Sequence, residues 1–182
     1  MTKDKAGKAS AHTSPAHPAA EAASGSSPVC YAHEMAPAYA GYLPDAEVIA
    51  LLDTLLEGER AGDRLAQDFL KASPNGAATV LLEAVRRDEA RFAAMLARLI
   101  QHLGAAPSPR VGTFYEKAMA IEGFSERLAF LNRGQASVVR KLCQALPRIK
   151  DDRIHAALKG MLGAHETNIA RCEALIATLA RS

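Results

Sequence analysis

The sequence has no tryptophan, and aromatic residues make up 5% of its 182 positions. That disfavours the stacking platform on which single-stranded nucleic acids rest. Its formal net charge of +2 is too small to draw the chain to nucleic acid or an anionic membrane. Three cysteines, an odd number, supply no disulfide framework. Cys143 and Cys172 read as packing thiols on helical core positions, and a reducing cytoplasm is the expected compartment. No window reaches about 18 uninterrupted apolar residues, which excludes a transmembrane helix. The start MTKDKAGKAS leads into no apolar run of the kind a signal peptide needs. A nucleophile–base motif, a Gly-rich phosphate loop and paired CxxC are all missing.

Large aliphatic residues are also nearly missing from residues 1–42, which are rich in Ala, Ser, Pro and Gly. Such a segment cannot bury enough surface to offset the entropy of ordering it, so a disordered tail is expected there. His12, His17 and His33 are read as incidental residues of that tail, with Tyr31, Tyr39, Tyr42 and Leu43 docking loosely on the rest of the chain. Residues 43–182 are long enough for one domain with a sizeable core.

What is present in that domain is helical periodicity. Four stripes keep the alternating three–four spacing of a helix seam. The first is Val48, Leu52, Leu55, Glu59, Gly62, Ala66 and Phe69. The second runs Ala78, Leu82, Val85, Glu89, Phe92, Leu96, Leu99 and Leu103. Phe124, Leu128, Leu131, Gln135, Val138, Leu142 and Ala145 form the third. The fourth is Ile154, Leu158, Met161, His165, Asn168, Cys172, Leu175 and Leu179. Pro44 and Asp45 open the first helix, Asn75 is placed to cap the second, and Gly104 stops it. Thr113 and Glu116 have the capping-box spacing and predict a short helix over 114–120. Ser125 is placed to cap the third long helix, Pro147 ends it, and Asp151 and Asp152 begin the fourth.

Every stripe is broken near its middle by a polar residue. Gln135 and His165 lie 30 residues apart in sequence, and the same spacing separates Glu59 from Glu89. At about 1.5 Å of rise per residue, Glu59 and Glu89 both stand roughly 20 Å from the turn that joins their helices. All four side chains can therefore meet in one mid-bundle layer. The connection from Gly104 to Phe124 is long for a bundle, which predicts two antiparallel hairpins joined by a crossover.

Buried carboxyl groups need partners, protons or a metal. Two glutamates and a histidine converging between helices suit iron, manganese or zinc. In this arrangement the chain resembles the ferritin-like superfamily of di-iron carboxylate bundles. The wording FYEKAMAIEGFSERLAFLNRGQASVVRKL and MLGAHETNIARCEAL is similar to a bacterial family of unknown function placed in that superfamily. The resemblance covers about residues 44–180. It implies Glu on the first and third helices and Glu-x-x-His on the second and fourth. Glu59, Glu89 and His165 match; Phe92, Gln135 and Leu162 do not.

Two readings are open. In one, Glu59, Glu89 and His165 hold a single divalent ion, completed by Gln135 or Glu166. In the other, they form a metal-free network closed by Arg60, Arg91 or Arg133. A seam displaced by one position would instead bring Asp88 or Glu166 inward. The expected function is a non-catalytic interaction or stress-related module that self-associates or binds a protein partner. The alternative is a mononuclear metal protein or an oxidoreductase descended from the di-iron type.

Overall fold

The computed structural model describes residues 41–73 and 76–181. All but the last two residues of the expected tail, and Asn75 as a cap, lie outside that range. Among the described residues the chain is all-helical: α1 (Asp45–Lys71), α2 (Ala77–His102), α3 (Phe114–Met119), α4 (Phe124–Ala145) and α5 (Asp152–Leu179), with a 3₁₀ turn at Leu146–Arg148.

Pro44 sits in extended backbone just before α1, and its carbonyl accepts hydrogen bonds from Glu47 and Val48. Asp45 and Glu47 then place acid at the positive end of the helix dipole. α5 starts from a side-chain cap, with Ile154 N–H donating to Asp151 Oδ1 at 2.8 Å. Two expected caps are corrected. Thr113 makes no side-chain bond at the start of α3. α4 begins at Phe124 after Gly123, whose φ of +64° favours glycine, so Ser125 lies inside the first turn. There the left-handed residue sets the helix start ahead of the serine hydroxyl.

The stripes become two apolar clusters. One gathers Val48, Leu52, Phe92, Leu96, Leu142 and Leu158 with their neighbours. The other gathers Leu65, Phe69, Leu82, Val85, Leu128 and Cys172 with theirs. Each fully buried leucine contributes about 1.5–3 kcal/mol, so the clusters can carry a polar layer between them. Cys143, expected inside, is exposed on α4; Cys172 is buried.

Contacts between element ends fix how the helices meet. Leu43 N–H donates to the Arg148 carbonyl at 2.9 Å, tying the approach to α1 to the turn after α4. His102, ending α2, meets Asp151, before α5, at 3.3 Å. The rings of Phe69, late in α1, and Phe124, first in α4, lie 6.4 Å apart. The segment between α2 and α3 is strapped along α1. Ser108 N–H donates to Asp53 at 2.7 Å and Ser108 Oγ to Glu57 at 2.6 Å. Arg110 donates to Glu57 at 2.8 Å, and Gly112 N–H to the Glu57 carbonyl at 2.9 Å.

Candidate functional site

The four polar seam residues lie in the interior: Glu59 is 0% exposed, Glu89 3%, Gln135 4% and His165 1%. Each sits one or two helical turns from leucines or aromatics that seal it above and below. Glu89 reaches its position because Gly62 has no side chain. A Cβ there would lie 2.6 Å from the Glu89 carboxyl carbon. The Phe92 ring packs against the His165 imidazole, with centroids 5.6 Å apart.

The hydrogen bonds assign the protons. Gln135 Nε2 donates to Glu89 Oε1, so the Gln135 carbonyl oxygen faces His165 Nδ1. That oxygen can only accept, so Nδ1 carries the hydrogen. Burial lowers the His165 pKa, against the opposing charges of Glu89 and Asp88. The ring is thus neutral at pH 7, and its Nε2 presents a lone pair. Nε2 faces Glu59 Oε1 at 3.4 Å. Neither Glu59 oxygen nor His165 Nε2 has a hydrogen-bond partner. Ionised, Glu59 would set three buried acceptor atoms in one place; protonated, it has one O–H to share with Glu89 or His165 Nε2.

Burial pushes the Glu59 carboxyl up to about 8, with the Asp88 charge adding to it. Burial and then the Glu59 charge push Glu89 well above the usual carboxylate range. Close to neutral pH both carboxyl groups favour the protonated form, as two acids facing each other in a dry layer should.

The expected arginine counter-ions are elsewhere. Arg60 donates to the Ser108 and Arg110 carbonyls. Arg91 pairs with Asp88 at 2.9 Å and lies 4.3 Å over the Phe92 ring. Arg133 lies over Phe130 at 5.3 Å. Each guanidinium has taken a carbonyl, carboxylate or ring near the surface rather than shed its water in the layer. Glu166 is exposed. One residue past His165, it is turned about 100° around the helix away from the seam. Asp88 is half-buried at the layer's edge and accepts from buried Asn168 at 3.1 Å.

A cavity of about 140 Å³ opens beside this layer, between α1 and α4. Its floor includes Glu59, Glu89 and Gln135; Leu55, Leu131 and Val138 form walls; Thr54, Ser137 and Lys141 stand toward its exposed side. Phe114 closes one side with its ring against Gly134, where a Cβ would come within 2.8 Å of ring carbon Cε2. Gly58 also lines it, and a Cβ built on Gly58 would meet nothing within 4 Å. The seam pattern gave no sign of Gly58, Gly134 or Phe114, because all three lie off the apolar stripes.

A family model, described as a domain of unknown function (DUF6306), matches residues 46–174. The chain belongs to that family. The matched DUF6306 region includes all four polar seam residues, the strap and the cavity. No curated protein and no solved structure matches the chain.

Any metal in the DUF6306 layer would have to be held by the side chains that converge there. The layer's donor set suits a borderline divalent ion, with two free carboxylate oxygens and one imidazole lone pair. Among the described residues, no three His, Cys, Asp or Glu side chains stand ready as a metal-holding group. Glu89 is held by Gln135.

Proposed function

We propose that this chain is a ferritin-like bundle, non-catalytic, whose buried layer takes up one divalent cation. The ferritin-like part is supported by the paired helix ends and by the strap, which returns along α1 as a crossover should. The single observation behind the cation is the convergence of two buried Glu59 oxygens and the His165 Nε2 lone pair, which become three unpaired acceptors once Glu59 loses its proton. Leaving such atoms unpaired costs about 1–3 kcal/mol each. A cation between Glu59 and His165 removes that cost, and Glu89 joins by turning away from Gln135. The two carboxyl protons leave as the ion enters, because ligands must be deprotonated.

Phe92, Leu162 and Gln135 stand where further ligands would be needed, so two iron atoms per chain are not expected. The test is titration of untagged protein with Mn²⁺, Zn²⁺ and Fe²⁺, tracking stoichiometry, proton release and Tm. One ion per chain, with a rise in Tm that His165→Ala abolishes, is the expected result. No binding, or two iron atoms with oxygen consumption, would overturn the proposal.

A second reading, self-association or docking of a protein partner, is favoured by one surface feature. A groove of about 680 Å³ lies between α2 and α5, lined by Leu81, Ala84, Leu175 and Val80, and Val80 is 67% exposed. Sedimentation of the native chain against Val80→Glu distinguishes it.

A further inference from the structure

The surface groove between α2 and α5 is cationic at one end and apolar along the rest. The two helices run antiparallel: His102, ending α2, meets Asp151, before α5, and Asn168 donates to Asp88 at 3.1 Å. Arg87 lies beside Asp88, and Arg171 lies one helical turn past Asn168, so both arginines stand at the same end of the groove. Leu81, Ala84 and Val80 line it on α2 and Leu175 on α5. From Ala77 to Arg87 it runs about 15 Å, at about 1.5 Å of rise per residue. Among the described residues neither arginine has an ion pair, whereas Arg91, one turn on from Arg87, is taken by Asp88. Glu83 is the one acid of the lining, and no ion pair joins it to either arginine.

We infer that this groove binds a medium-chain fatty carboxylate, with its head on Arg87 and Arg171 and its chain lying toward Ala77. A guanidinium keeps its charge throughout the physiological range and offers a fork of donors that fits a carboxylate. An extended chain of about ten to twelve carbons spans the same 15 Å or so. Its apolar length covers Val80, which is 67% exposed, and Leu175. A groove of about 680 Å³ falls in the range of small-ligand sites. A bare anion would leave the apolar walls wet, and a neutral chain would leave the two arginines without a counter-charge. The inference competes with self-association for the same surface. A second copy seated there would bring two arginines per chain against one glutamate, a surplus of positive charge that a carboxylate head neutralises. It shares no residue with the cation proposal.

The full chain is titrated with dodecanoate below its micelle concentration, with Tm and amide chemical shifts as readouts. Dodecanoate is expected to raise Tm by a few degrees in a saturable way and to shift amides of α2 and α5 around the groove. Dodecyltrimethylammonium has a chain of the same length and the opposite charge; butanoate has the same head on a short chain. Each should bind at least about tenfold more weakly. Arg87→Gln with Arg171→Gln alters two exposed side chains, so it keeps the fold, and it should weaken dodecanoate binding about tenfold or more. Arg87→Glu with Arg171→Glu should reverse the preference to the cationic chain. Equal binding of the three probes, no saturable response to dodecanoate, or an undiminished response in the glutamine variant would overturn the inference. So would a dimer in sedimentation that Val80→Glu dissociates and dodecanoate does not, because a second copy then covers the groove. Failure of Mn²⁺ to bind would count against the cation proposal and not against this one.

Discussion

The two helix pairs, α1 with α2 and α4 with α5, contribute equivalent positions to the same layer and furnish them differently. α1 and α2 contribute two carboxyl groups, α4 and α5 an amide and an imidazole. The amide and imidazole each contain a donor and an acceptor, so Gln135 satisfies Glu89 on one side and His165 on the other. The carboxyl groups do not complete the set, and Glu59 meets no donor from α4 or α5. One helix pair therefore organises the layer, and the other leaves it open to a proton or a cation.

Removing the organising side should have the largest effect. Gln135→Leu strands Glu89 Oε1 and His165 Nδ1 together, and at about 1–3 kcal/mol for each buried group the loss should be about 2–6 kcal/mol. Urea unfolding at pH 7 measures it. A change below about 1 kcal/mol would mean that Gln135 is not the hub.

The open side should show itself through pH. Glu59 has a folded pKa of about 8 against an unfolded value near 4.5. Its proton is bound more tightly in the folded state, so this contribution is full below about 4.5 and is lost as pH rises to about 8. Glu89 acts in the same direction. His165, whose pKa is lowered, acts in the opposite direction, losing stability below about 6.5. The sum should be a loss on the order of 3 kcal/mol between pH 5 and pH 8 in chelator-treated protein. Glu59→Gln should flatten that slope, and an unchanged slope would place the titration elsewhere.

The smallest expected effect tests the room rather than the charge. Gly62→Ala forces the Glu89 carboxyl aside and should cost about 1–3 kcal/mol by overpacking. If the alanine instead stabilises the helix, as its propensity alone would have it, Glu89 has another place to go.

The layer was legible in the sequence because burial imposes a period. Glu59, Glu89, Gln135 and His165 interrupt stripes of Leu, Val and Phe, and each lies at the depth those stripes require. Its partners were not legible. Proximity in sequence suggested Arg60 for Glu59, but a neighbour on a helix points to a different side, and Arg60 is spent on the strap. The strap and the Phe114–Gly134 contact join residues with no shared period, so no pattern announces them. Local capping rules failed at Thr113 and Ser125 for a related reason: each supplies a suitable hydroxyl without deciding which residue turns the chain.

The strap also gives α1 a divided response to acid. Glu57 holds Ser108 and Arg110, and those bonds keep its carboxyl below the usual range. Two residues later on the same helix, Glu59 is held above it. Acidification therefore favours the buried carboxyl groups of the layer while loosening the outer strap. Acid thus weakens the strap on the outer face of α1 at the same pH at which it keeps the carboxyl groups beneath uncharged.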